Sequence, residues 1–104
     1  AQKVRFARTG GEANAIAIRI ARAASKKDNV AFCGYHGWHD WYLSTNLNSK
    51  TEKKNLDSHL IKGLKVEGVP QSLKQTSFPF NYGDLSYLKK LISRKNIGII
   101  EKIK

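Results

Sequence analysis

Apolar and polar positions alternate from Lys3 to Ala7, with Val4 and Phe6 set against Lys3 and Arg5, which predicts a short strand at about 4–8. Thr9-Gly10-Gly11 then breaks the pattern. Beyond it the period lengthens: Ala13, Ile16, Ala17, Ile20, Ala21 and Ala24 follow the spacing of one helical face, predicting a helix over about 11–25. Thr9 or Gly10 stands where an N-cap belongs, and Lys26 to Asn29 make a polar turn. Val30-Ala31-Phe32-Cys33 is a continuous apolar run, as expected of a strand at about 30–34 covered on both faces. Far downstream, Asp84 is placed to cap a helix over about 84–95 with Leu85, Leu88, Leu91 and Ile92 inward. Ile97 to Ile100 predicts one more buried strand, at about 97–101.

Strand, helix and strand within so short a span point to an α/β fold built from βαβ units around a parallel sheet. The 104 residues amount to one domain at most. Residues 45–80 read as an irregular excursion, polar from Asn46 to Leu60 and punctuated by Gly68, Pro70 and Pro79. The chain enters its first strand within a few residues of Ala1 and stops in the middle of its last, so we expect an interior piece of a longer protein.

Composition changes this picture in two places. Lys and Arg number 19 against 8 Asp and Glu, a formal charge of +11. That raises the alternative of a basic nucleic-acid-binding module, but no helix-turn-helix, RNP or zinc-finger pattern accompanies the charge. The single cysteine, Cys33, excludes an intrachain disulfide and fits a reducing compartment, so a cytoplasmic location is expected. No stretch approaches the roughly 18 apolar residues of a membrane span.

Two short constellations could carry chemistry. Thr9-Gly10-Gly11-Glu12 lies between a predicted strand and helix, where glycines allow close approach and a helix N-terminus attracts an anion. The same glycines would equally serve a tight turn that needs positive φ. Tyr35 to Tyr42 is a dense aromatic and histidine loop at the carboxyl end of a strand, where open α/β sheets bind ligands. Tyr35 could stack on a planar ring, whereas Trp38, Trp41 and Tyr42 are expected to pack. His36, His39 and Asp40 lack the ligand count and spacing of a metal site.

Taken in order, Val4-Arg5-Phe6, Thr9-Gly10-Gly11-Glu12-Ala13-Asn14 and Gly34-Tyr35-His36-Gly37-Trp38-His39-Asp40 resemble the class III pyridoxal-phosphate-dependent aminotransferases. The glutamate-1-semialdehyde aminomutase-like branch is the most similar. The resemblance is dense over residues 3–47 and implies the large domain of a fold-type-I enzyme. It implies pyridoxal 5'-phosphate as cofactor, an amino donor and a carbonyl acceptor as substrates, and a homodimer for the full-length parent. It also implies that Gly10 and Gly11, helped by Thr9, hold the cofactor phosphate. Tyr35 then stacks on the ring, with His36 beside it. Position 11 departs from the pattern, which has Thr or Ser there. The Schiff-base lysine and the aspartate that pairs with the pyridinium are expected outside this chain, because none of its lysines stands in a matching context. Alone it is expected to be inactive.

Overall fold

Two glycines in succession make a poor start for a helix unless the backbone is capped, and here it is capped twice. In the computed structural model, which describes residues 2–48, 55–59 and 62–94, helix α1 (Gly10–Ser25) follows Thr9, whose Oγ1 accepts the Glu12 N–H at 3.1 Å. The Glu12 carboxylate reaches back to accept the Arg8 N–H at 3.0 Å. At the other end Lys26 adopts a left-handed conformation (φ 58°) and donates its N–H to the Arg22 carbonyl at 2.8 Å.

Strand β1 (Val30–Phe32) pairs in parallel with strand β2 (Ser77–Pro79), in the register Val30 to Ser77 and Phe32 to Pro79. Between them lie a short helix α2 (Asp40–Leu43) and three 3-10 turns, Ser44–Leu47, Leu56–Ser58 and Gln71–Leu73. Helix α3 (Leu85–Arg94) closes the described fold. The described fold is α/β with a two-stranded parallel sheet, in keeping with the expected class. Both faces of β1 are covered, as its unbroken apolar run requires. Val30 and Phe32 pack with Ile18, Ala21, Trp41 and Tyr42. Ala31 packs with Phe78, Phe80, Leu88 and Leu91 on the other side.

Several expectations need correction. Residues 4–8 form no strand; Val4 is 67% and Phe6 92% exposed. A strand exists only against a partner, and no described strand runs alongside it. The buried stripe of α1 is rotated from the expected one. Ile18 and Ala21 are buried, while Ala13, Ile20 and Ala24 are exposed. Polar residues occupy the other half of the helix, and two of them anchor its orientation. Asn14 bonds His36, and Arg22 donates to the carbonyls of Asp28 at 2.7 Å and Thr76 at 3.4 Å. On α3 Asp84 caps as expected, accepting the Tyr87 N–H at 3.2 Å, but Leu85 faces outward and Tyr87 is the half-buried residue of that turn.

Among its described residues the segment 45–80 is largely irregular, partly buried and partly exposed, and it contains β2 near its end. Thr45, Asn48, Asn55 and Leu56 are buried. Asparagine amides replace secondary structure there. Asn46 donates to the Leu64 carbonyl and accepts the Leu56 N–H, at 2.8 and 2.7 Å. Asn48 likewise joins Ser77 O and Gln75 N, at 3.0 and 2.8 Å. At half-buried Asn46 and buried Asn48 the polar run thus serves as a hydrogen-bonding frame. The strand expected at 97–101 lies outside the described residues, and none of the described helices is long and apolar enough to cross a membrane.

Candidate cofactor site

The first turn of α1 has donors to spare. Glu12 N–H is taken by Thr9, and Ala13 N–H by the Thr9 carbonyl at 3.0 Å. The N–H groups of Gly10 and Gly11 have no partner among the described residues. Thr9 Oγ1 acts as acceptor, so its own proton remains available to donate. Two amides and one hydroxyl thus stand at the positive end of a helix dipole.

Neither glycine adopts positive φ, which removes the tight-turn explanation for them. Their uses differ. A β-carbon on Gly10 would meet nothing within 4 Å, so that side of the turn is open. One on Gly11 would lie 2.5 Å from Nε2 of His39. The His39 imidazole occupies the side of Gly11 toward which a side chain would point.

The aromatic loop is anchored by its histidines. His36 Nδ1 lies 3.0 Å from the Asn14 amide nitrogen, and Nε2 lies 2.8 Å from the Cys33 carbonyl. The Nε2–H tautomer satisfies both, accepting from Asn14 and donating to Cys33. His36 therefore ties the loop to the second turn of α1. Tyr35, the next residue back, is 48% exposed, its ring edge-to-face with Tyr42 at 5.8 Å. Burial pushes the Tyr42 phenol above its ordinary value, the neighbouring Tyr35 adding to the shift and the backbone of His36 opposing it. Trp41 and Tyr42 pack as expected, whereas Trp38 is 78% exposed.

One residue of this region gave no signal in the sequence. His59, in the polar middle segment, accepts the Gly34 N–H through Nε2 at 3.0 Å and bonds Asn81 Oδ1 through Nδ1 at 3.1 Å. Burial lowers its pKa, and the Asn81 side chain opposes that shift. It fixes the residue that turns the chain (Gly34, φ 96°) immediately before Tyr35.

The predicted site residues do not line a common cavity. The larger cavity, about 680 Å³, runs beside β1 between α1 and α3 and includes Asn14, His36 and Trp41. A second hollow of about 450 Å³ is bounded by Thr9, Glu12, Arg19 and His39. Gly10, Gly11 and Tyr35 line neither. No group of three metal-ligating side chains occurs among the described residues.

The chain has relatives among known enzymes. It is 35% identical over 85 residues to the 3-aminobutyryl-CoA aminotransferase of Cloacimonas acidaminovorans, covering 82% of the chain. It is 34% identical over 103 residues to the glutamate-1-semialdehyde 2,1-aminomutases of Sulfurisphaera tokodaii and Sulfolobus acidocaldarius, covering 96% of the chain. These are homologues, and they are class III pyridoxal-phosphate enzymes. The chain spans only 16% of the aminotransferase and 23% of each aminomutase. No family model and no solved structure matches it.

Proposed function

We propose that the full-length protein is a pyridoxal-phosphate-dependent aminotransferase or aminomutase, moving an amino group between an amine or amino acid and a carbonyl carbon. When bound, the cofactor supplies an electron sink next to the carbon that carries the nitrogen. This stretch supplies the grip. Gly10 and Gly11 donate their amides to the phosphate, Thr9 adds its hydroxyl proton, and Tyr35 covers the ring while His36 holds the loop beside it. The observation that carries the reading is the pair of unpartnered amides at the start of α1. They are what a phosphate dianion needs, and Gly10 leaves the approach clear.

The Schiff-base lysine is assigned to sequence outside this chain, and the chain alone is proposed to be inactive. A homodimer in a reducing, cytoplasmic setting completes the proposal, the latter resting on the lone Cys33. Substrates are sought first among the compounds for which the homologues are named, 3-aminobutyryl-CoA and glutamate 1-semialdehyde.

The test is to purify the full-length protein, dialyse it, and record its visible absorption and its amino transfer from those donors. Retained pyridoxal phosphate and donor-dependent formation of an aminated or rearranged product are the expected result. Loss of all cofactor on dialysis, with no recovery on adding it back, overturns the proposal.

A further inference from the structure

The aromatic loop contributes a side chain to the phosphate turn that the family resemblance does not assign. His39 leans its ring on Gly11: a β-carbon at position 11 would lie 2.5 Å from Nε2, 3.1 Å from Cδ2 and 3.7 Å from Cε1. The space a hydroxyl side chain would fill at position 11 is filled by imidazole. Its backbone is held from the buried side, because the His39 carbonyl accepts the Tyr42 and Leu43 N–H groups at 3.0 Å each while Trp41, Tyr42 and Leu43 are buried. As the residue before α2, His39 makes no capping bond with its side chain. Neither ring nitrogen has a hydrogen-bond partner among the described residues. The ring shares the wall of the smaller hollow with Thr9 and Arg19, facing Glu12 as well, whose carboxylate is engaged by the Arg8 amide.

We infer that His39 binds the cofactor phosphate, supplying across space the contact that Thr or Ser at position 11 supplies elsewhere, and that Gly11 and His39 form one unit. The inference rests on the pyridoxal-phosphate reading. Glycine at 11 deletes a hydroxyl donor and opens its volume, and the imidazole brings a nitrogen donor into that volume. A Cβ at position 11 and the ring exclude one another. Because the near atom is the outer end of a side chain, a substitution at Gly11 displaces the ring and leaves α1 intact.

The experiment compares dissociation constants of the full-length protein for pyridoxal 5'-phosphate and for pyridoxal, which lacks only the phosphate. The ratio of the constant for pyridoxal to that for pyridoxal 5'-phosphate isolates the phosphate grip whatever the rest of the site does. In His39→Phe, which keeps a ring and loses the nitrogens, the ratio falls about tenfold, the scale of one hydrogen bond to a charged group. If that variant unfolds at the assay temperature, His39→Ala serves for the same comparison. Gly11→Thr alone keeps the ratio near the parent's, because its hydroxyl enters the volume from which the ring is displaced. The double variant Gly11→Thr, His39→Ala recovers most of what His39→Ala loses, for the same reason. An unchanged ratio in the His39 variants, or a double variant no better than His39→Ala, overturns the inference. A parent that shows no preference for the phosphorylated compound fails at the underlying function instead, so the two failures are distinct.

Discussion

His59 Nε2 accepts the amide hydrogen of Gly34 at 3.0 Å, across 25 residues of sequence. The bond requires a lone pair on Nε2, so it exists only while His59 is neutral. Burial lowers the pKa of His59 from its ordinary value, meaning that the folded state prefers the uncharged ring. Its contribution to stability is therefore complete above the unfolded value of about 6.5 and is lost as pH falls toward the lowered folded value. Amide exchange at Gly34, corrected for the intrinsic rate, should accelerate through that window. His59→Ala should exchange fast at every pH. A parent whose protection at Gly34 stays flat across the window would remove His59 from this role.

Ser77 carries a buried load that its place in a three-residue strand does not advertise. Its hydroxyl donates to the Trp41 carbonyl at 2.7 Å and lies 3.0 Å from the hydroxyls of both Ser44 and Thr45. Ser77→Ala leaves these buried groups short of a partner, and the expected cost is about 1–3 kcal/mol in urea denaturation. Ser93→Ala, which removes one exposed bond to the Lys90 carbonyl, should change stability by less than about 0.5 kcal/mol. Equal effects of the two substitutions would show that the Ser77 cluster is not a structural joint.

Lys26 ends α1 at φ 58°, where a β-carbon is crowded by its own carbonyl. Its N–H still closes the helix on the Arg22 carbonyl, so the conformation is needed and the side chain is not. Lys26→Gly should raise stability by roughly 1 kcal/mol, visible as a higher denaturation midpoint with an unchanged slope. A lower midpoint would mean that the exposed lysine does more here than terminate a helix.

Much of this was readable from spacing alone. The long helix, the apolar run of β1, the Thr9 cap and the Asp84 cap are local signals, each set within a few residues. What sequence concealed is tertiary. Ser77-Phe78-Pro79 is too short and too mixed to announce a strand, and it becomes one because β1 lies beside it. Asn14 and Arg22 interrupt the apolar spacing as polar residues, yet they hold α1 in position by bonding His36 and the Asp28 and Thr76 carbonyls. At the site itself the two glycines stand out in the sequence, and the structure gives them different surroundings: open space beside Gly10 and an imidazole beside Gly11. The approaching group at Gly11 was not legible, because His39 lies 28 positions away and only the fold brings the two together.

Tyr35 offers the sharpest test of the ring-stacking role, because its alternative occupation is visible. Its ring sits edge-to-face with Tyr42 at 5.8 Å, and half of the residue is open to solvent. If Tyr35 covers the cofactor ring, Tyr35→Ala in the full-length protein weakens pyridoxal-phosphate binding by about 1–3 kcal/mol, as loss of an aromatic stack does in other ligand sites. Tyr35→Phe, which keeps the face and loses the hydroxyl, binds nearly as well as the parent. If Tyr35 only packs, the consequence falls on Tyr42. The Tyr42 phenol is raised by burial, with Tyr35 adding to it, so removing Tyr35 uncovers Tyr42 and brings its titration back toward the ordinary value. Ultraviolet titration of tyrosinate in the cofactor-free protein therefore measures packing, and the dissociation constant measures stacking. Tyr35→Ala should move both. A shift in the Tyr42 titration with cofactor affinity unchanged would leave Tyr35 as a packing residue and end its assignment to the ring.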